Sequence, residues 1–194
     1  MYATLSDSLE HLYPDSPVPA RPRRRMAVDV ARGGTASVHV LLTDLPARGE
    51  VRFEVRLAGR RVQDARWFRL IDVPVEANTG RLIFVEKPGE RNRFVTRRAP
   101  FRVYDAMRPV EPPLKADAAG GPVAALRLEI PIPRGARPGR RQYEITITCD
   151  GGTAASRFRL DVAVHKAVIP PVGRASLPYS NWFNLDNMAT RHGL

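Results

Sequence analysis

The sequence predicts an all-β fold, an immunoglobulin-like antiparallel β-sandwich. Apolar and polar residues alternate at period two along most of the chain from residue 26 to residue 168, which is typical of half-buried strands. Glycine, proline and asparagine fall between these runs, where turns are needed. Before residue 176 no apolar stripe of useful length has the helical spacing of 3.6 residues. Eight or nine short strands over residues 26–166 therefore fit two packed sheets.

The individual strands are predicted from the alternation. In residues 51–57 the side chains of Val51, Phe53 and Val55 point to one face, and those of Arg52 and Glu54 point to the other. The same pattern predicts strands at 36–42, 126–130, 143–149 and 158–164, with weaker strands at 26–31, 68–75, 82–85 and 101–104. Many arginines fall on the outward faces, where cross-strand pairing with Glu or Thr is expected.

Three stretches interrupt this regular spacing. Residues 86–100 and 108–122 are predicted to be loops, the second because it is rich in proline and glycine. The segment 5–12 fits either a single helical turn capped by Asp7 or an extended edge strand. The division predicted from these features is an N-terminal extension at 1–25, a β-sandwich domain at 26–168, and a linker with the start of a second domain at 169–194.

The formal net charge of +11 raises the question of an anionic partner. Lysine occurs only at Lys87, Lys115 and Lys166, so arginine supplies 28 of the 31 basic side chains. Residues 1–100 have a net charge of +6 and residues 101–194 a net charge of +5, with no basic tail or long block. Because phosphate binding needs several cations along one track, nucleic acid is a disfavoured partner. A stand-alone binding module for an anionic polymer or nucleic acid stays as the alternative.

Metal, cofactor and membrane roles have little support. The single cysteine, Cys149, ends an alternating strand and is predicted to be a core residue, and the four histidines lack ligand spacing. No cofactor motif or catalytic triad stands out, and the glycine pairs are followed by strands or irregular sequence. No apolar run is long enough to span a membrane, and no secretory signal is visible. We therefore expect no cofactor, no metal, no membrane partner and a cytoplasmic location.

The final residues differ in character from the rest of the chain. Ile169, Pro170 and Pro171 begin a stiff linker. A short extended segment at 175–182 follows, and residues 183–189 have helix-start character. We interpret this strand-helix stub as the opening of another domain.

Three sets of residues carry a resemblance to a known family. They are Asp7-Ser8-Leu9-Glu10-His11-Leu12-Tyr13-Pro14-Asp15, then Ala136-Arg137-Pro138-Gly139 with Tyr143-Glu144-Ile145-Thr146-Ile147-Thr148, and Tyr179-Ser180-Asn181-Trp182-Phe183-Asn184. In these residues the chain resembles the N-terminal β-sandwich domain of bacterial glycoside-hydrolase-like proteins. Many of those domains are classed as domains of unknown function. In those proteins a TIM-barrel-type catalytic domain follows.

The resemblance implies a function and a partner. Residues from about 175 onward match the first strand of a barrel domain, so this chain would have no catalytic residues of its own. It would be an accessory domain that buttresses its own C-terminal catalytic barrel and shapes the carbohydrate cleft. Asn181, Trp182 and Asn184 are the predicted substrate-binding residues. The alternatives are that Trp182 packs against the barrel wall, and that Trp67 or Trp182 belongs to a glycan-binding module.

Overall fold

Two β-sheets pack against each other around the larger of the two apolar clusters that the described residues form. The computed structural model of the chain describes residues 1–16, 19–76, 95, 97–115, 123–150 and 155–171. These residues form eleven strands and no helix. The strands are β1 (Tyr2–Asp7), β2 (Arg25–Arg32), β3 (Thr35–Thr43), β4 (Glu50–Leu57), β5 (Arg60–Arg61), β6 (Arg66–Val75), β7 (Phe101–Val110), β8 (Leu114–Lys115), β9 (Ala124–Pro131), β10 (Gly139–Cys149) and β11 (Ser156–Val168).

The strand order confirms the predicted all-β sandwich. The first sheet has the order β1-β3-β9-β6-β7, and the second has the order β2-β11-β10-β4-β5, with β8 beside β4. All pairs are antiparallel except β2 with β11, which runs parallel from Arg25 opposite Arg159 onward. The pairing of these two strands, which lie near opposite ends of the chain, could not be inferred from local alternation.

The core lies where the alternating apolar residues of the two sheets meet. In the second sheet Ile145 lies opposite Val55, and Ile147 lies opposite Phe53. In the first sheet Val38 lies opposite Leu128, and all of these side chains are buried. This inward and outward alternation is the one that the sequence predicted for the strands within the described residues.

The N-terminal segment is part of the first sheet. The structure contains parts of both alternatives for residues 5–12. β1 pairs with β3 from Tyr2 opposite Thr43 to Asp7 opposite Val38, and a turn follows in which the Asp7 side chain accepts from the Leu9 amide at 2.9 Å and the Asp7 carbonyl accepts from the Glu10 amide at 3.1 Å. Arg23 covers the free edge of β1, because its amide donates to Thr4 Oγ1 at 2.9 Å and its carbonyl accepts from the Leu5 amide at 3.0 Å. The range predicted as an extension, 1–25, therefore includes a strand of the sandwich.

The prediction of a loop over residues 108–122 was wrong at its start. The last residue of β7 is Val110, which pairs with Trp67 of β6, and Leu114 pairs with Val51 of β4. β7 has mostly exposed side chains, so the alternation from which it would have been recognised is absent after residue 104. The strand predicted at 82–85 lies outside the described residues.

Candidate interdomain junction

The described part of the chain stops at residue 171, at an end of the sandwich that is built from three segments. They are the turn of Gly33 and Gly34 between β2 and β3, the loop between β9 and β10, and residues 165–171, which end β11 and follow it. Glycines at 33 and 34 allow the tight reversal, and Gly33 has a φ of 80°, a backbone conformation that favours glycine. These segments place the first residues of the proposed linker against the sandwich.

Backbone hydrogen bonds tie the three segments together. The Gly33 amide donates to the carbonyl of Ile132 at 2.8 Å, and the Ile132 amide donates to the carbonyl of Gly34 at 2.9 Å. The Ile169 amide, one residue beyond β11, donates to the carbonyl of Arg32 at 2.8 Å. The pairing of β11 with β2 is thus continued past an irregularity between His165 and Val168, up to Ile169.

Two arginine side chains hold the carbonyl groups of the departing strand. Arg32 Nη2 donates to the carbonyl of Lys166 at 2.8 Å, and Arg134 Nε donates to the carbonyl of Ile169 at 2.9 Å. Hydrogen bonds from a charged donor are stronger than neutral ones. The position and direction of Ile169 are therefore fixed from both sides, by a strand partner and by a loop side chain. We call Arg32, Arg134 and Ile169 the exit clamp.

The two glycines of the turn are packed closely against this clamp. A Cβ atom on Gly33 would lie 2.9 Å from Arg134 Cγ and 3.1 Å from the Ile169 carbonyl oxygen. A Cβ atom on Gly34 would lie 3.0 Å from the carbonyl oxygen of Ala31 and 3.2 Å from Ile169 Cδ1. A side chain at Gly33, where φ is positive, would crowd the Ile169 carbonyl, whereas a side chain at Gly34 would crowd mainly the Ala31 carbonyl.

An exposed apolar surface surrounds the exit. Val168 is 44% exposed and Ile169 is 46% exposed, although most large apolar side chains of the described sandwich are buried. Pro170 and Pro171 follow and are exposed too. These four consecutive residues are therefore an exposed apolar stretch at the end of β11.

Of the residues predicted to contact a sugar, the structure describes only Trp67. Asn181, Trp182 and Asn184 lie outside the described residues. Trp67 is 7% exposed, and its ring centroid lies 4.7 Å from that of Phe53 in the core. The buried indole of Trp67 has no face free to stack on a sugar ring.

A polar cluster on the outer face of the first sheet was not predicted from the sequence. His39 is buried beneath the N-terminal segment, where Arg127 Nη1 lies 3.5 Å from His39 Nε2, and His39 Nδ1 has no hydrogen-bond partner among the described residues. Burial, with a smaller contribution from the Arg127 charge, lowers the pKa of His39 to about 4. The hydroxyl oxygens of Ser8 and Ser37 lie 2.9 Å apart and join the covering segment to β3. The alternation of Val38, His39 and Val40 predicted that His39 lies on the outer face of β3. It could not predict that the N-terminal segment covers this face.

The described residues hold no cluster of three or more His, Cys, Asp or Glu side chains arranged to bind a metal. In the same part of the chain, no helix has the length and apolar character needed to cross a membrane. Cys149 is a buried free cysteine, and burial raises the pKa of its thiol.

Comparison with solved structures finds a similar sandwich within a larger protein. The chain is similar to a family 123 glycoside hydrolase from Clostridium perfringens, described for glycolipid glycan hydrolysis, with a TM-score of 0.56 and 17% identity. The likeness is one of fold. It covers 87% of this chain and 28% of the hydrolase, so the chain spans less than a third of that protein's length.

Other matches are more distant. The CooA pilin subunit from enterotoxigenic Escherichia coli is 11% identical with a TM-score of 0.31, covering 87% of this chain and 99% of the pilin. The N-terminal domain of PorA is 11% identical with a TM-score of 0.30, covering 86% of this chain and 99% of that domain. No family model and no curated protein sequence matches the chain.

Proposed function

We propose that the chain is a non-catalytic β-sandwich domain of a larger glycoside hydrolase, placed before a catalytic barrel domain that begins near residue 175. The observation that carries the proposal is the exit clamp. Arg134 and Arg32 hold the last residues of the sandwich at fixed positions, immediately before Pro170 and Pro171. Such fixation would allow the sandwich to set the direction of a domain that follows it.

The fold likeness supports the same proposal. A sandwich that aligns over 87% of its length with 28% of a glycoside hydrolase is the size expected of one domain in a protein of that kind. The proposed division is the sandwich at 26–168, to which the N-terminal segment at 1–25 adds β1, and a linker with the first barrel residues at 169–194.

The proposed role is mechanical. Val168 and Ile169 would be covered by the following domain, and burial of their exposed apolar surface would stabilise the contact. The sandwich would then buttress the barrel and form one wall of its carbohydrate cleft. We propose that Asn181, Trp182 and Asn184 lie at the end of the first barrel strand and contact the sugar, because barrel ligands bind at the ends of the strands.

The experiment that tests this proposal is to read the gene downstream of the Leu194 codon. We expect an open frame that continues into alternating strand and helix patterns, with carboxylates at the ends of several later strands. A stop codon directly after Leu194, followed by an unrelated gene, would overturn the proposal.

A further inference from the structure

The outer face of the second sheet contains a depression that the proposed function does not use. It lies over β2, β11 and β10 and has a volume of ≈ 540 Å³. Its floor is made by Ala27 of β2 and Ala163 of β11, which lie among long side chains: Ala163 is opposite Asp29 on one side and Arg140 on the other. Because Ala27 and Ala163 have short side chains and their neighbours on this face have long ones, a space remains between the long side chains that a ligand group could occupy.

Two guanidinium groups share a single carboxylate at one side of this depression. Arg25 lies directly opposite Arg159 in the parallel pair, an arrangement that is destabilising for like charges. Asp161 compensates for part of it, because it accepts from Arg25 Nε and from Arg159 Nε, each at 2.8 Å. The hydrogen bonds from both arginines keep the pKa of Asp161 below its usual value, so the carboxylate stays charged. One positive charge is left over, and the terminal Nη atoms of both arginines have no partner in the described part of the chain.

The other side of the depression carries Arg140; its neighbour Arg141 pairs with the buried Val162, so the Arg141 side chain belongs to the opposite face of the sheet. The Arg140 side chain, opposite Ala163, has no hydrogen bond or ion pair with any of the described residues. Arg141 donates to the carbonyl of Arg137 at 3.3 Å. The second carboxylate of the depression, Asp29, has one oxygen at 2.8 Å from His165 Nε2 and the other oxygen unoccupied among the described groups. On the outer face, therefore, the three guanidinium groups of Arg25, Arg140 and Arg159 lie near two carboxylates.

We propose that this depression binds an acidic saccharide, a sugar chain that bears a carboxylate or sulfate group. The oxyanion accepts hydrogen bonds from Arg140 and from the Nη atoms of Arg159, a geometry that suits guanidinium groups. The sugar hydroxyl groups donate to Asp29 and Asp161. The negative charges of Asp29 and Asp161 would repel the closely spaced phosphates of a nucleic acid. The residues that line the depression therefore fit a saccharide better than a nucleic acid. The proposal does not depend on the role of the chain within a hydrolase.

The test is binding of oligosaccharides to the whole chain by calorimetry, with an NMR titration to locate the site. The probes are an oligogalacturonate, a carrageenan oligosaccharide that carries sulfate but no carboxylate, a neutral maltooligosaccharide of equal length and a single-stranded DNA of equal charge. We expect one or both acidic oligosaccharides to bind, with affinity that falls as salt rises and with shifts centred on Ala27 and Ala163. The first two probes distinguish the carboxylate from the sulfate.

A matched pair of variants tests the location independently of net charge. Arg140→Ala is expected to weaken binding about tenfold, because a charge-assisted contact is lost. Arg60→Ala removes the same charge from β5, at the other edge of the sheet, and is expected to leave binding unchanged. Circular dichroism checks that both variants are folded. The proposal is overturned by equal losses in the two variants, by equal binding of the neutral oligosaccharide, by tighter binding of DNA, or by no binding at millimolar concentrations.

Discussion

The Arg134 side chain donates a hydrogen bond to the carbonyl oxygen of Ile169, 35 residues further along the chain, at 2.9 Å. The carbonyl lies directly before Pro170, whose ring fixes its own φ and restricts the residue before it. The side-chain contact and the proline act on the same peptide unit, so the direction in which the chain leaves the sandwich is determined by structure on both sides. This relationship is the physical basis of the proposed function.

The close packing of Gly33 against the clamp gives the first prediction. Gly33→Ala is expected to destabilise the sandwich by a backbone cost of about 1 kcal/mol and a steric cost of about 1–3 kcal/mol. Gly59→Ala is the matched control, because Gly59 has a φ of 76° but nothing within 4 Å of the position that a Cβ atom would occupy. Gly59→Ala should therefore lower the free energy of unfolding only by the backbone cost of about 1 kcal/mol. Urea unfolding followed by circular dichroism measures both, and equal losses would show that Gly33 does not support the clamp.

The role of Arg134 gives the second prediction. Arg134→Ala removes one hydrogen bond and should lower the stability by only about 1 kcal/mol. It should speed hydrogen exchange at the Ile169 amide, which donates to the carbonyl of Arg32. Arg137→Ala removes an arginine from the same loop without touching the clamp, and should leave that exchange unchanged. Exchange at Ile169 that is the same in both variants would refute a fixed exit.

The burial of Trp67 gives the third prediction. Trp67→Ala is expected to cost about 3–5 kcal/mol of folding free energy, because the indole packs on Phe53 in the core. Phe68→Ala, at the neighbouring half-buried position, should cost less. Chemical unfolding monitored by circular dichroism distinguishes them. A Trp67 variant of normal stability that had lost binding to a neutral glycan would instead support a sugar-stacking role.

The buried histidine gives the fourth prediction, on pH. His39 is neutral in the folded chain down to about pH 4 but takes up a proton near its ordinary pKa of 6.5 when the chain unfolds. The folded state therefore binds fewer protons between these values, and stability is full above pH 6.5 and falls as the pH drops towards 4. The loss over this window is expected to be on the order of 3 kcal/mol.

His39→Gln isolates this contribution from that of the carboxylates. Arg127 faces His39 from β9, and Asp7 and Glu10 face it from the N-terminal segment; all three remain in the variant. Subtracting its stability curve from that of the parent chain between pH 7 and pH 4 should leave the histidine contribution. Parallel curves over that range would contradict the prediction.

The strands were predictable wherever one face is buried and the other is solvated. Val51, Phe53 and Val55 point inward on β4, and Arg52 and Arg56 point outward, as the alternation indicates. β1 has no such alternation, because Thr4 and Ser6 are buried as well as Ala3 and Leu5. Its strand character depends on β3 and on the cover by Arg23, which are tertiary features.

The junction was predictable only in part. The sequence Ile169-Pro170-Pro171 indicated a stiff linker, but nothing in the sequence around Arg134 indicates that it reaches Ile169. That contact depends on the parallel pairing of β2 with β11, which brings the turn at Gly33 next to the end of the last strand. The alternation of a single strand contains no information on which strand it pairs with.

The proposed lack of catalysis in this chain is tested most directly by glycoside hydrolysis. Chromogenic glycosides are incubated with this chain and, at equal molar concentration, with the product of its complete reading frame. We expect no release of chromophore by the chain alone and hydrolysis by the product of the complete frame, because the proposed function assigns the paired carboxylates to the strands of a following barrel. Hydrolysis by this chain alone, with activity that copurifies with it, would contradict the account.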